Sequence, residues 1–341
     1  MADKKNVESP YTMKDQDQDK KQLKPTIKAY ANSDFLNSQA ARTIRILCEF
    51  QEPMQRLHAN GIRGTILVFG SARSMARPDF DRTVNGLKSK LTDGELSAAD
   101  RTTTQTRLDA LQKAEWMCPW VEIAEQLSAR LTKWSLDDKR LHASMHNLPD
   151  YFQYDRFSQV ESHQPLVITT GGGPGLMEAA NRGAASIPGA KSMGMGISLP
   201  FEKGLNPYVS DGLEFEFHYF FTRKFWMMYS AKALIVAPGG FGTMDELFEL
   251  MTLRQTRKIP DLPIVLLCSK FWKTVINWEA LSDFGVISQK EVDSLCFADT
   301  VDEAFDFIKS HFDNQIDSLN APVSPSTSPA KATGAPPTVS L

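Results

Sequence analysis

Ala237-Pro-Gly-Gly-Phe-Gly-Thr-Met-Asp-Glu-Leu-Phe-Glu249 follows directly on the apolar run Ala231-Lys-Ala-Leu-Ile-Val236. The run reads as a buried strand, the glycines as a tight turn, and the remainder as the opening of a helix. Glycines let backbone N–H groups approach a ligand, and a helix N-terminus adds about half a positive charge. An anion is therefore expected at Gly239, Gly240, Gly242 and Thr243, with phosphate the leading candidate. The acidic residues Asp245, Glu246 and Glu249 stand just beyond it. A phosphate cradle followed by carboxylates suits an enzyme that holds a phosphorylated sugar and acts on the sugar.

Two further turns have the same form. Gln164-Pro-Leu-Val-Ile-Thr-Thr170 is a strand, Gly171-Gly-Gly-Pro-Gly175 the turn, and Leu176 to Ala184 the helix, with Glu178 in its first turn. Phe69-Gly-Ser-Ala-Arg73 follows the strand Gly64-Thr-Ile-Leu-Val68. One such turn is a weak signal. Three, each at the carboxyl end of an expected strand, are stronger, because open parallel sheets bind ligands on that side.

Working outward, strands are predicted at 165–170, 191–199, 231–237 and 263–268, with a short one near 295–299. Helices are predicted at 175–186, 218–230, 243–256, 271–282, 288–294 and 301–312. This alternation implies an α/β fold, a Rossmann-like doubly wound, mostly parallel sheet with flanking helices. Upstream, residues 34–58 show helical periodicity and make an additional N-terminal helix, and 115–134 form an amphipathic one. Residues 1–32 are polar and are expected to be a flexible arm. The body spans 33–312 as a single domain, with a polar insertion at about 74–163. Residues 313–341 are assigned to a disordered tail rich in Pro, Ser and Thr, its composition clearest from Ala321 onward.

The 341 residues allow a sizeable core. A net charge of −3 gives no reason to expect nucleic acid or an anionic membrane as partner. No apolar stretch approaches the roughly 20 residues of a membrane span, and Met1-Ala-Asp-Lys-Lys leads into no apolar signal region. Cys48, Cys118, Cys268 and Cys296 lie far apart, as expected of reduced thiols in a cytoplasmic protein. His142 and His146 have a spacing found in metal sites but lack a carboxylate pattern. They are read as part of a solvated insertion, with no metal and no cofactor expected.

Phe217-His-Tyr-Phe-Phe-Thr-Arg-Lys-Phe-Trp-Met-Met-Tyr229 is mostly apolar, with Arg223 and Lys224 side by side. The plain reading is a buried helix whose cations reach out to water. The preferred one is that an arginine on a buried helix must meet an anion, since an unpaired buried guanidinium costs several kcal/mol. The acidic residues after the glycine turns are the candidates. Two carboxylates from two helix starts, Glu178 and Glu246, with an arginine between them, would hold ribose hydroxyls and stabilise an oxocarbenium ion. Arg254 and Arg257 are equally readable as ligand contacts or as a solvated face.

These motifs resemble a known family. Pro238-Gly-Gly-Phe-Gly-Thr-Met-Asp-Glu246 fits the Pro-Gly-Gly-x-Gly-Thr-x-x-Glu signature of the LONELY GUY (LOG) family, long labelled possible lysine decarboxylases. Gly171 to Glu178, the Arg223-Lys224 pair and Phe69-Gly-Ser-Ala72 match in the same order. The long N-terminal helix, the insertion and the tail resemble its longer bacterial branch. The resemblance implies a phosphoribohydrolase that cleaves the N-glycosidic bond of a purine nucleoside 5′-monophosphate, of AMP or cytokinin type, to free base and ribose 5-phosphate. It implies Arg223 and Glu246 as the catalytic pair. Gly239, Gly240, Gly242 and Thr243 would hold the phosphate, and Glu178 would contact ribose. Lys224 would assist, and Gly70, Ser71, Gly172, Gly173 and Gly175 would line the substrate. Family members are homodimers or larger.

Three rivals are weighed. A non-catalytic nucleotide sensor on the same fold has no use for the carboxylates. A nicotinamide dehydrogenase would need Gly-x-Gly-x-x-Gly after the first strand, where Phe-Gly-Ser-Ala-Arg stands. A lysine decarboxylase would need an aldimine lysine and a pyridinium partner, and Lys224 beside Arg223 fits a hydrolase better.

Overall fold

The computed structural model describes residues 26–92, 96–145, 147–148, 163–199 and 204–320. Seven strands are present among them: β1 (Thr65–Phe69), β2 (Val167–Thr170), β3 (Ser192–Ile197), β4 (Glu214–Phe217), β5 (Ala231–Val236), β6 (Ile264–Leu267) and β7 (Leu295–Ala298). The helices are α1 (Ser33–Asn37), α2 (Arg42–Ala59), α3 (Arg77–Thr92), α4 (Ala98–Ala114), α5 (Cys118–Asp137), α6 (Lys139–Ser144), α7 (Leu176–Ala185), α8 (Phe220–Ser230), α9 (Phe241–Gln255), α10 (Ser269–Val275), α11 (Trp278–Asp283), α12 (Gln289–Asp293) and α13 (Val301–Asn320).

All six strand pairings are parallel, in the order β4-β3-β2-β1-β5-β6-β7. The chain winds outward from β1 to one edge, then returns to the centre and winds to the other. The order reverses between β1 and β5, and a crevice opens at the carboxyl ends of strands at such a point. The doubly wound α/β fold read from the sequence is the one observed.

Strand residues alternate between two buried layers, as a period of two requires. Ile66 and Val68 of β1 join Leu127 and Leu131 of α5, Ala179 and Ala180 of α7, and Ile308 and Phe312 of α13. Leu67 and Phe69 face the other way, toward Leu57 of α2, Trp226 and Met227 of α8, Leu247 and Leu250 of α9, and Trp272 of α10.

The chain divides into two compact units, residues 1–47 and 48–341. In the first, Asn32 caps α1 by accepting from the Phe35 N–H, and Arg45 donates to the Leu36 and Ser38 carbonyls, each at 2.6 Å. The helix expected over 34–58 is therefore broken, with Ser38 extended between α1 and the turn that precedes α2. Of the arm expected over 1–32 and the tail expected over 313–341, residues 1–25 and 321–341 lie outside the described residues, while 26–32 and 313–320 are described.

The second unit differs from expectation in three places. β4 is not among the predicted strands. Its four residues alternate exposed Glu214 and Glu216 with buried Phe215 and Phe217, and pair with β3. The polar stretch from 74 to 112 holds the helical hairpin α3–α4, closed over its own small core of Phe80, Val84, Leu87, Leu108 and Cys118. So few apolar positions leave little periodicity to read. Finally, α13 runs to Asn320, not 312, because Phe312 and Ile316 bury against the sheet layer.

The end of α9 carries a local strain. Arg257 adopts φ 58°, while the Lys258 N–H reaches the Leu253 carbonyl at 2.8 Å and the Arg257 N–H the Arg254 carbonyl at 3.1 Å. This is a Schellman-type end with arginine where glycine is favoured. Arg257→Gly is expected to stabilise the fold by roughly 0.5–1 kcal/mol, the left-handed penalty relieved less the chain entropy glycine adds. Thermal melts check it, and a lower melting temperature would mean that the arginine makes a compensating contact.

Candidate active site

The crevice at the β1/β5 reversal is a cavity of about 1000 Å³. Phe69 to Arg73 after β1 and Pro238 to Thr243 after β5 line it, with Arg223 of α8 and Glu246 of α9. The two turns are tied together: the Ala237 N–H donates to the Phe69 carbonyl at 2.8 Å, and the Ser71 N–H to the Pro238 carbonyl at 3.0 Å. Gly240 is the N-cap of α9 and offers no side chain there, which leaves the first N–H groups of the helix open to a ligand. A β-carbon on Gly239 would stand 2.1 Å from the Thr243 hydroxyl oxygen, so the turn folds back on its own helix with no room for alanine.

The Gly171–Gly175 turn supports the site from one side. Gly175 has φ +72°, and a β-carbon there would stand 2.6 Å from the Ser71 carbonyl. The turn is locked beneath by buried Asn181, which accepts from the Thr170 hydroxyl at 2.6 Å and donates to the Ser192 hydroxyl at 2.7 Å.

Arg223 lies against that turn, with a β-carbon on Gly171 meeting its guanidinium at 2.7 Å. Its Nε donates to the Met195 carbonyl of β3 at 2.7 Å, and its Nη1 stands 3.5 Å from Glu246 Oε1. The side chains of Arg223 and Glu246 are 11% and 6% exposed, so the pair works in a low-dielectric pocket. The helix that carries Arg223 has no capping side chain of its own. Glu49 of α2 supplies one, accepting from the His218 N–H at 2.8 Å and from the Thr222 hydroxyl, while its carbonyl accepts from Trp226 Nε1 at 2.8 Å.

Glu246 is the unusual group. Its Oε2 is buried and has no hydrogen-bond partner among the described residues. Burial pushes its carboxyl up to about 7, against the pull of Arg223 and Lys224. Lys224 itself is committed elsewhere: its Nζ contacts Asp245 at 2.6 Å and Glu249 at 2.8 Å, and reaches Glu246 Oε2 only at 4.0 Å. Burial alone would lower Lys224, but those two carboxylates outweigh it and hold the ammonium above its usual value.

This arrangement has a consequence for stability. A carboxyl protonating at 4.5 in the unfolded chain and at about 7 in the folded one binds more protons folded than unfolded between those values. Stability is therefore expected to fall as pH rises from about 4.5 to 7 by up to about 3 kcal/mol, then to level off. Glu246→Gln should flatten that slope, as measured by denaturant melts across the window. An unchanged slope would show that Glu246 titrates as an ordinary carboxylate.

Of the expected site residues, Gly70, Ser71, Arg223, Gly239, Gly240, Gly242, Thr243 and Glu246 line one cavity. Gly172, Gly173, Gly175, Glu178 and Lys224 do not. Glu178 faces Arg182 of its own helix at 3.7 Å. Met177 lines the cavity in its place. Arg254 lines a second cavity of about 1010 Å³ at the far end of α9 and donates to the Ser294 hydroxyl at 2.6 Å. Sequence reading missed the opposite wall of the site: Arg107, Ala110, Leu111 and Lys113 of α4, then Trp116, Met117 and Phe271. The Trp116 and Phe271 rings stack with centroids 5.6 Å apart. His142 Nε2 donates to the Ser135 and Leu136 carbonyls, at 2.9 and 3.1 Å, and His146 lies outside the described residues. Among the described residues no group of three or more metal-ligating side chains comes together, and no helix is long and apolar enough to cross a membrane.

Glycine turns at the reversal of a parallel sheet, above a buried arginine–carboxylate pair, define a Rossmann-like α/β protein with a candidate site in its crevice. Residues 177–308 match the family model described as "Possible lysine decarboxylase", the label carried by the family that the motifs resemble. That span contains Arg223, Lys224, Gly239 to Thr243 and Glu246. No curated protein matches the chain. Among solved structures, the molybdenum cofactor binding protein from the phototrophic bacterium Rippkaea orientalis is similar at 19% identity, over 56% of this chain and 87% of that one, with a TM-score of 0.34.

Proposed function

We propose that this chain is a nucleotide phosphoribohydrolase: it hydrolyses the N-glycosidic bond of a purine nucleoside 5′-monophosphate, AMP or a cytokinin riboside monophosphate, to free base and ribose 5-phosphate. The family domain supports a nucleotide-related phosphoribohydrolase-type role. The observation that carries the finer reading is Glu246 Oε2, a buried carboxylate oxygen with no hydrogen-bond partner among the described residues, in the same cavity as a glycine turn built for an anion.

The 5′-phosphate sits in the turn Gly239–Thr243, against the N-terminus of α9. As the bond from C1′ to the base nitrogen breaks, the base leaves with the electron pair and positive charge develops on the ribosyl ring. The Glu246 carboxylate stabilises that charge, water then adds to C1′, and the proton it loses passes to the departing base nitrogen. The Arg223 guanidinium holds Glu246 in place and faces the sugar-phosphate. Lys224 is a positioning residue, since its ammonium pins Asp245 and Glu249 along the same helix. Ribose contact by Glu178, implied by the resemblance, drops out of this reading because Glu178 does not line the cavity. The reading keeps a homodimer or larger assembly, supported by Phe220, Phe221 and Phe241, which are 56%, 50% and 93% exposed. A monomer by light scattering would remove that part.

The turn has no use without its anion. AMP should therefore be cleaved far faster than adenosine, by about 100-fold or more in kcat/KM, as expected when a charge-assisted phosphate contact is lost. Release of adenine and ribose 5-phosphate measures it. Equal turnover of the two would reject the phosphate assignment, and stoichiometric AMP binding without any cleavage would favour the sensor.

A further inference from the structure

We infer that the preferred ligand of this site carries a second anionic group beyond the 5′-phosphate, met by Arg73, Arg107 and Lys113. The inference rests on the nucleotide reading above and narrows its substrate class.

The cavity is larger than a mononucleotide needs. Its volume of about 1000 Å³ stands at the upper end of the roughly 300–1000 Å³ usual for small-molecule sites. The glycine turn and the Arg223–Glu246 pair occupy one side. The other side is α4 of the inserted hairpin, where Arg107, Ala110, Leu111 and Ala114 recur at helical spacing and turn one face toward the site. Next to that face stand the stacked rings of Trp116 and Phe271. A flat apolar group therefore has a wall to rest on, with cations at its border.

Charge balance separates those cations from ordinary surface residues. Other arginines of the same region are engaged: Arg77 with Glu115, Arg82 with Asp79, and Arg101 with the Leu91 carbonyl. The side chains of Arg73, Arg107 and Lys113 have no hydrogen-bond or ion-pair partner among the described residues. Nor can the carboxylates of the cavity serve them. Asp245 is held by Lys224, and Glu246 faces Arg223. The cavity thus keeps three uncommitted positive charges after its own pairs are matched, and the 5′-phosphate is already met by the glycine turn. All three border the site as exposed side chains in a chain of net charge −3, which points to a small anion and not to a polyanion.

The second anion has three chemical sources: the 5′ chain, the 3′ oxygen, or a substituent on the base. The probes are AMP, ADP, adenosine 3′,5′-bisphosphate and N6-succinyl-AMP. Calorimetry on the full chain in a Glu246→Gln background, which suppresses turnover, gives each affinity relative to AMP. At low salt at least one probe should bind about tenfold more tightly than AMP, since each exposed cation contributes up to a few-fold. That ratio should fall toward one in Arg107→Gln/Lys113→Gln, and toward one in 1 M salt. Arg73→Gln, outside the hairpin, should lower it part of the way and serves if the double variant does not fold. The probe that gains identifies the source. If AMP binds and no probe gains, or if the gain survives both variants, the inference is wrong while the nucleotide reading stands. If nothing binds, the nucleotide reading itself fails.

Discussion

Glu246→Gln will lower the rate of base release by at least about two orders of magnitude while the protein remains folded. The magnitude follows from groups aimed at charge that develops in the transition state, whose removal costs about 100- to 1000-fold. Glutamine keeps the shape and the contact to Arg223 but cannot offer a negative oxygen. A carboxylate that merely packed on a surface would leave activity within a few-fold, and Glu246 is 4% exposed. Because burial raises its carboxyl to about 7, the active carboxylate form is only half populated near neutrality. Activity of the native enzyme should accordingly climb between pH 6 and 8, and any residual activity of the variant should not. A variant with near-native turnover would return Glu246 to a structural role.

Arg223→Ala will be inactive within detection, and Arg223→Lys will be impaired by about tenfold or more. Arg223 holds two acceptors in fixed directions, the Met195 carbonyl through Nε and Glu246 through Nη1. An ammonium is a compact point charge and cannot span both from one side chain. In the alanine variant the buried carboxylate also loses its nearest cation, so its carboxyl should rise further and the pH window of falling stability should extend upward. Full activity in the lysine variant would show that charge alone is required. Steady-state kinetics across pH separate these outcomes.

The parts of the site that sequence could display were the local ones. A glycine turn, the strand before it and the helix after it lie within about 20 residues, and all three turns fell where expected. The regular alternation from 165 onward made the doubly wound sheet readable for the same reason. Glu178 shows the limit of such local symmetry. The sequence suggests one first-turn position for both, but α9 begins at Phe241 and puts Glu246 in its second turn, while Glu178 stays in the first turn of α7, which packs on α5 beside β2, and its carboxylate meets Arg182. What could not be read were contacts across long separations and segments with little apolar patterning. The α3–α4 hairpin buries only a handful of side chains, so its helices left no clear period, yet it builds the opposite wall of the cavity. β4 has four residues and is adjacent to an aromatic helix that dominates any window.

Glu49 adds a constraint in time. Its carboxylate steadies the start of the helix that carries Arg223, across a separation of 173 residues to Thr222. During synthesis Glu49 leaves the ribosome long before its partners exist, and until they emerge it is an unsatisfied acid on an amphipathic helix. Arg223 finds its orientation only once this distant closure has happened, and the turn after β5, which is tied to the turn after β1 through the Ala237 N–H and the Phe69 carbonyl, follows later still. The helix that orients Arg223 can therefore close on Glu49 before the turn after β5 is made.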